Sequence, residues 1–198
     1  MQPVSDSLIV SRTHWSDPLA VDYLAIALSN LPLKREIAVV CVGTDRSTGD
    51  SLGPFIGTAL KKHQRARLLD SNIIIYGTLD EPVHALNLDH CIQRIVKMDK
   101  SVSTIAIDAC LGRPQNIGFI SLKRGPLKPG TGVNKKLPLV GDYHIIGVVN
   151  VSGFMEHVVL QNTRLSLVVQ MADVIASSIT MGLGSQYGET ALSSPSST

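Results

Sequence analysis

The sequence predicts a three-layer α/β/α sandwich around a mixed five-stranded sheet with one antiparallel strand. Three observations lead there. Short apolar runs of Val, Ile and Ala alternate with stretches whose apolar residues recur at three and four, giving the order α, β, α, β, α, β, β, β, α. Two of the runs lead into loops or strand ends that carry aspartate, as expected where a parallel sheet presents its carboxyl edge to a ligand. The third and fourth strands stand only about eight residues apart, whereas a parallel crossover takes roughly a dozen or more. The fourth strand must therefore run against its neighbours.

Residues 1–14 read as a flexible arm. Asp17-Pro18 supplies an N-cap and a proline for the first turn of a helix, whose apolar stripe is Ala20, Leu24, Ala27, Leu28 and Leu31, closed by Pro32. Ile37 to Val42 is the first strand. The helix after Asp50 carries Phe55, Ile56, Ala59 and Leu60 and ends in Lys61, Lys62, His63, Arg65 and Arg67, a solvated end that suits the helix dipole. Asn72 to Tyr76 is the second strand, and Thr78-Leu79-Asp80-Glu81-Pro82 leads into a helix with Ala85, Leu88, Ile92 and Ile95 on one face. Ser103 to Ile107, Ile117 to Leu122 and His144 to Val151 complete the sheet. Between Lys123 and Asp142, three prolines and four glycines exclude helix and strand, and Lys123, Arg124, Lys128, Lys135 and Lys136 make the loop basic. Thr163 to Thr180 is the closing helix. A single domain is expected over 15–182, with a disordered Ser-rich tail over 183–198.

Composition narrows the function. The chain has 198 residues, 44% hydrophobic and 17% charged, enough to bury a core. A net charge of +2 argues against a protein that coats nucleic acid, so no direct nucleic-acid partner is expected. Cys41, Cys91 and Cys110 are odd in number, far apart and set in apolar patterns, which reads as reduced thiols in the cytoplasm. No basic start precedes an apolar segment, and no apolar run near 18 residues stands out, so no membrane partner is expected.

The chemistry centres on carboxylates. Asp50 stands where a helix begins and can serve as an N-cap or as an acid placed near free backbone N–H groups. Asp45 shares its loop and can cap or brace the turn. Asp108 follows three apolar strand residues, where partial desolvation favours sharing a proton with a neighbouring acid. Asp80, Glu81 and His84 end the second strand and can either start the next helix or touch a substrate. His144 and His157 are isolated and read as structural. Serine nucleophile chemistry lacks a G-x-S-x-G elbow. The loop Gly43 to Asp50 matches neither phosphate-binding glycine motif, and its two aspartates would repel a phosphate.

The segment Gly43-Thr44-Asp45-Arg46-Ser47-Thr48-Gly49-Asp50-Ser51-Leu52-Gly53-Pro54 resembles that of the YyaC-type sporulation proteins of endospore-forming bacteria. These resemble the spore germination protease and, more distantly, the hydrogenase maturation endopeptidases. The likeness covers about residues 36–180. Asp50-Ser51-Leu52-Gly53-Pro54 is similar to the germination protease motif that holds one catalytic aspartate, Asp108-Ala109 to the motif that holds the second, and Pro129-Gly130-Thr131-Gly132-Val133-Asn134-Lys135 to a conserved loop of that enzyme. The resemblance implies a phosphorylase/hydrolase-like sandwich, Asp50 and Asp108 as catalytic residues, and Gly130, Gly132 and Asn134 in substrate-binding or supporting places, to which the residue reading adds Asp45, Asp80 and Glu81. The maturation enzymes bring a histidine as third nickel ligand, which here has no counterpart in the long loop before His144.

The expected function is therefore a peptidase-like hydrolase of the sporulating cell or spore. It would use the paired aspartates to activate water against a protein substrate, with small acid-soluble spore proteins as the implied candidates and no cofactor. Two alternatives stay open. One is a non-catalytic spore assembly or binding protein that keeps the protease fold. The other is a metal-dependent hydrolase holding its ion with Asp50, Asp108 and His84.

Overall fold

The computed structural model describes residues 8–98, 101–129 and 137–184. Its sheet has six strands: β1 (Ile9–His14), β2 (Glu36–Cys41), β3 (Ile73–Tyr76), β4 (Val102–Gly112), β5 (Phe119–Arg124) and β6 (Tyr143–Val151). They lie in the order β1-β5-β6-β4-β2-β3. β3, β2, β4 and β6 are mutually parallel, and β5 runs against both β6 and β1. The single antiparallel strand sits where the short β4–β5 connection required it.

The sixth strand corrects the sequence reading. Residues 9–14, expected in a flexible arm, form β1 and pair with β5 from Ile9↔Lys123 to His14↔Phe119. Thr13 is buried, Arg12 lies 4.2 Å over the Phe119 ring, and the Trp15 amide donates to the Gly118 carbonyl at 3.0 Å. The pairing depends on residues more than a hundred positions away, so no local signal announces it.

Helices cover both faces. α1 (Ala20–Ser29), α2 (Leu52–Arg65) and α5 (Leu165–Gly184) pack on one, and α3 (Leu88–Met98) lies on the other. Along β2 and the residue after it, Ile37, Val39 and Cys41 enter the first core while Ala38, Val40 and Val42 enter the second, which is why the stretch reads as continuously apolar. Each fully buried Ile or Leu, such as Ile105 or Leu28, contributes about 1.5–3 kcal/mol. α2 seats directly on β2 because Gly53 has no Cβ to meet the Val42 carbonyl.

Three further differences concern boundaries. The final helix runs to Gly184, past the expected tail start at 183, and residues 185–198 lie outside the described residues. This helix is also long and apolar enough to cross a membrane, although no such run had stood out. Half of it is spent inside the fold, with Val168, Met171, Ala172, Ile175 and Ile179 packed in the core beside α1 and α2. A short helix, α4 (Glu156–Gln161), was not anticipated, since its apolar residues are too few for a periodic stripe.

Candidate functional site

The carboxyl ends of β2 and β4 lie side by side. Cys41 pairs with Ile107, and the Val42 amide donates to the Ile107 carbonyl at 2.7 Å. The chain turns out of β2 at Gly43, whose φ of +148° and missing Cβ let the Asp50 carbonyl rest against it. The Thr44 amide donates to that same carbonyl at 3.1 Å and closes the loop. Asp50 thereby sits in a single 3₁₀ turn, Gly49–Ser51, that packs against β4 and α4.

No side chain caps this turn or α2, which starts from Ser51, so the Asp50 carboxyl is not spent on a helix end. Burial pushes its pKa above the ordinary carboxyl range, while the nearby Ser47 hydroxyl and the charge of His157 pull it back. Ser47 is itself buried, and its Oγ lies close to Asp50 without closing a hydrogen bond of regular geometry to any described residue. Such an orphaned hydroxyl is costly to keep. His157 is exposed on α4.

Asp108 differs from expectation in one respect. It does not follow a strand end: β4 continues to Gly112 because β6 accompanies it, from Asp108↔Ile146 to Gly112↔Val151. Asp108 is thus the first β4 residue beyond the last one paired with β2. It is half-buried, and its Oδ1 accepts from the Ala109 amide at 2.9 Å. Its charge also acts on Cys110, whose thiol is pushed up to about 11, first by burial and then by Asp108, with Lys123 opposing.

The remaining candidates divide. Asp45 is exposed in the Gly43–Asp50 loop, where the Arg46 amide donates to Thr44 Oγ1 at 3.3 Å. Asp80 and Glu81 are exposed in a turn held by the Thr78 amide on the Glu81 carbonyl and the Glu81 amide on Thr78 Oγ1, both at 3.0 Å. His84 shapes the entry to α3, its Nδ1 accepting from the Leu86 amide at 3.3 Å and its amide donating to Asn87 Oδ1 at 2.8 Å. Among the described residues no three His, Cys, Asp or Glu side chains are grouped to hold a metal ion, so Asp50, Asp108 and His84 are not assembled as ligands. Gly130, Gly132, Asn134, Lys135 and Lys136 lie outside the described residues. The base of the long loop is fixed, with Leu127 and Val140 exchanging amide–carbonyl bonds at 2.8 and 3.0 Å. His144 Nδ1 donates to the Gly125 carbonyl at 2.7 Å, and burial is the main reason its pKa falls, which suits a neutral structural ring.

Sequence reasoning missed Ser47 and His157. Ser47 stood in the right loop, and only its burial distinguishes it from Thr48. His157 reaches the site through α4, which the Asn150 side chain ties to β6 by donating to the Val159 carbonyl at 3.3 Å and to Thr163 Oγ1 at 3.2 Å.

Comparison with known proteins places the chain. A NiFe hydrogenase maturation protease, HycI from Thermococcus kodakarensis KOD1, aligns over 76% of this chain and 93% of its own with a TM-score of 0.49 and 16% identity. In Bacillus subtilis (strain 168), the protein called "Uncharacterized protein YyaC" is 55% identical over 147 residues, which span 74% of this chain and 69% of that protein. The family model described as "Protein of unknown function (DUF1256)" matches residues 12–178, and with that match this chain belongs to the DUF1256 family.

Proposed function

We propose that the protein is a peptidase-like hydrolase that activates water with Asp50 and Asp108. The observation that carries this reading is the placement of both residues at one sheet edge by adjacent parallel strands, with the Asp50 carboxyl uncapped and its pKa raised by burial. Asp108 takes a proton from water as the water oxygen bonds to the peptide carbonyl carbon. Asp50, whose pKa is raised by burial, donates to the developing oxyanion. Collapse of the tetrahedral species breaks the C–N bond: Asp108 passes its proton to the departing amine, and Asp50 recovers one from the hydroxyl as the carbonyl re-forms. A cytoplasmic place rests on the pattern of the three cysteines, and the sporulating cell and small acid-soluble spore proteins as substrates rest on the loop resemblance.

A second reading, a binding protein without turnover, draws on one observation. Among the described contacts the Asp50 carboxyl meets Ser47 and His157, and no hydrogen bond joins it to Asp108. One experiment separates the two. The protein and its Asp50→Asn and Asp108→Asn variants are incubated with small acid-soluble spore proteins and with sporulating-cell extract, and cleavage is read by mass spectrometry. Fragments with wild type and a loss of at least about a hundredfold in both variants are expected. Full activity in either variant refutes the aspartate pair, and capture of an intact partner by all three folded proteins favours the binding reading.

A further inference from the structure

β4 outlives its partner. β2 stays beside it only as far as the Val42 amide on the Ile107 carbonyl, and beyond that point β4 continues with β6 alone. The direction of each backbone group is fixed by its neighbours. The Thr104 and Gly112 carbonyls accept from the Asp142 and Ser152 amides, both at 2.8 Å, so even-numbered residues face β6. The Ile107 carbonyl faces β2. By the two-residue alternation of a strand, Ala109 and Leu111 turn their backbone groups to the side that β2 has vacated.

On that side the Ala109 amide is taken by Asp108 Oδ1, but among the described residues nothing hydrogen-bonds to the Ala109 carbonyl or to the Leu111 N–H. Both residues are half-buried, and an unpaired backbone group in such a place is costly. An unpaired strand edge of this kind is complemented by one chemistry, another main chain in extended form.

We infer that this short edge of β4 binds a segment of extended polypeptide by strand addition, prolonging the lane that β2 leaves. A single residue of the guest, opposite Cys110 and parallel to β4, satisfies both groups: its N–H donates to the Ala109 carbonyl and its C=O accepts from the Leu111 N–H. The Asp108 carboxyl, turned to this same side by its bond to the Ala109 amide, then lies beside the guest backbone. Exposed apolar side chains stand at the same sheet edge, where the end of β6 and the loop after it expose Val151, Phe154 and Met155, Phe154 at 91%. The inference rests on the peptidase reading only for the fate of the guest. Docking itself requires no catalysis.

Amide hydrogen exchange tests it, with a degenerate decapeptide library at millimolar concentration as probe, because main-chain recognition tolerates sequence. In the free protein the Leu111 amide is expected to exchange at least about tenfold faster than those of Cys110 and Gly112, which face β6, and the library is expected to slow it by a similar factor. Leu111→Pro, which removes the outward N–H together with a side chain packed against the core, is expected to lose library binding, while Leu111→Ala, which gives up that side chain but keeps the N–H, is expected to retain it. A Leu111 amide already protected in the free protein, binding without slowing, or no slowing at saturation overturns the proposal. Should Leu111→Pro unfold, wild-type exchange alone decides. Wild-type exchange and cleavage, read together, separate this inference from the catalytic one: slowed exchange at Leu111 without cleavage upholds the edge and refutes the peptidase, and cleavage without slowing does the reverse.

Discussion

Gly43 and Asp50 show how one backbone contact shapes the site. The loop closes only because residue 43 has no side chain where the Asp50 carbonyl arrives, and because glycine tolerates a φ of +148°. Gly43→Ala is expected to cost about 1–3 kcal/mol in urea unfolding, since both the torsion and the contact must be relieved. A fully stable variant would show that the loop has another way to close. Asp50 carries a second consequence. Its folded pKa lies above the unfolded value mainly through burial, so the folded state holds the proton more tightly. Stability is then unaffected at acid pH, where both states are protonated, and declines as pH rises from the unfolded through the folded pKa. Asp50→Asn removes that penalty. Its thermal midpoint is expected to match wild type below the ordinary aspartate range and to equal or exceed it at neutral pH. A midpoint lower than wild type only at neutral pH would mean that the ionised carboxyl is stabilised instead.

Among the elements, β1 bears most on expectations. It pairs with β5 and supplies the outer edge of the sheet. Removal of residues 1–14 exposes the β5 edge and withdraws buried Thr13, so the truncated chain is expected to melt several degrees lower and to aggregate on heating. An unchanged midpoint would return these residues to the status of an arm. The pairing was not legible because Ile9 and Val10 lie exposed at 54% and 38% and show no clean alternation. The antiparallel sense of β5 was legible, because the length of a connection is a local property and a parallel crossover cannot be made in so few residues. Asp108 stood out as a candidate for a similar reason: a carboxyl interrupting an apolar strand is visible in the residue order. That β4 runs past it was not visible, because β6 holds the extension in place and β6 begins more than thirty residues later.

At the scale of the whole molecule, the two cores also govern the cysteines. All three thiols are free, and burial raises each: Cys41 well above the ordinary range, Cys91 and Cys110 up to about 11. The folded protein is therefore expected to react slowly with a thiol reagent at pH 8 and to release three equivalents at once in denaturant. Rapid reaction of the folded form would mean that one of the helical layers opens readily. What the sequence determined by itself was what near neighbours along the chain dictate: the alternation of helix and strand, the reversal of β5, and the aspartates as the candidates for chemistry. Tertiary structure decided what depends on distant partners. It chose the strand order that sets β2 beside β4, recruited β1 as the sixth strand, brought Ser47 and His157 to Asp50, and among the described residues grouped no three His, Cys, Asp or Glu side chains for a metal. The division follows from the physics: torsional preference and hydrophobic period act over a few residues, whereas pairing, burial and charge proximity exist only once the chain has closed on itself.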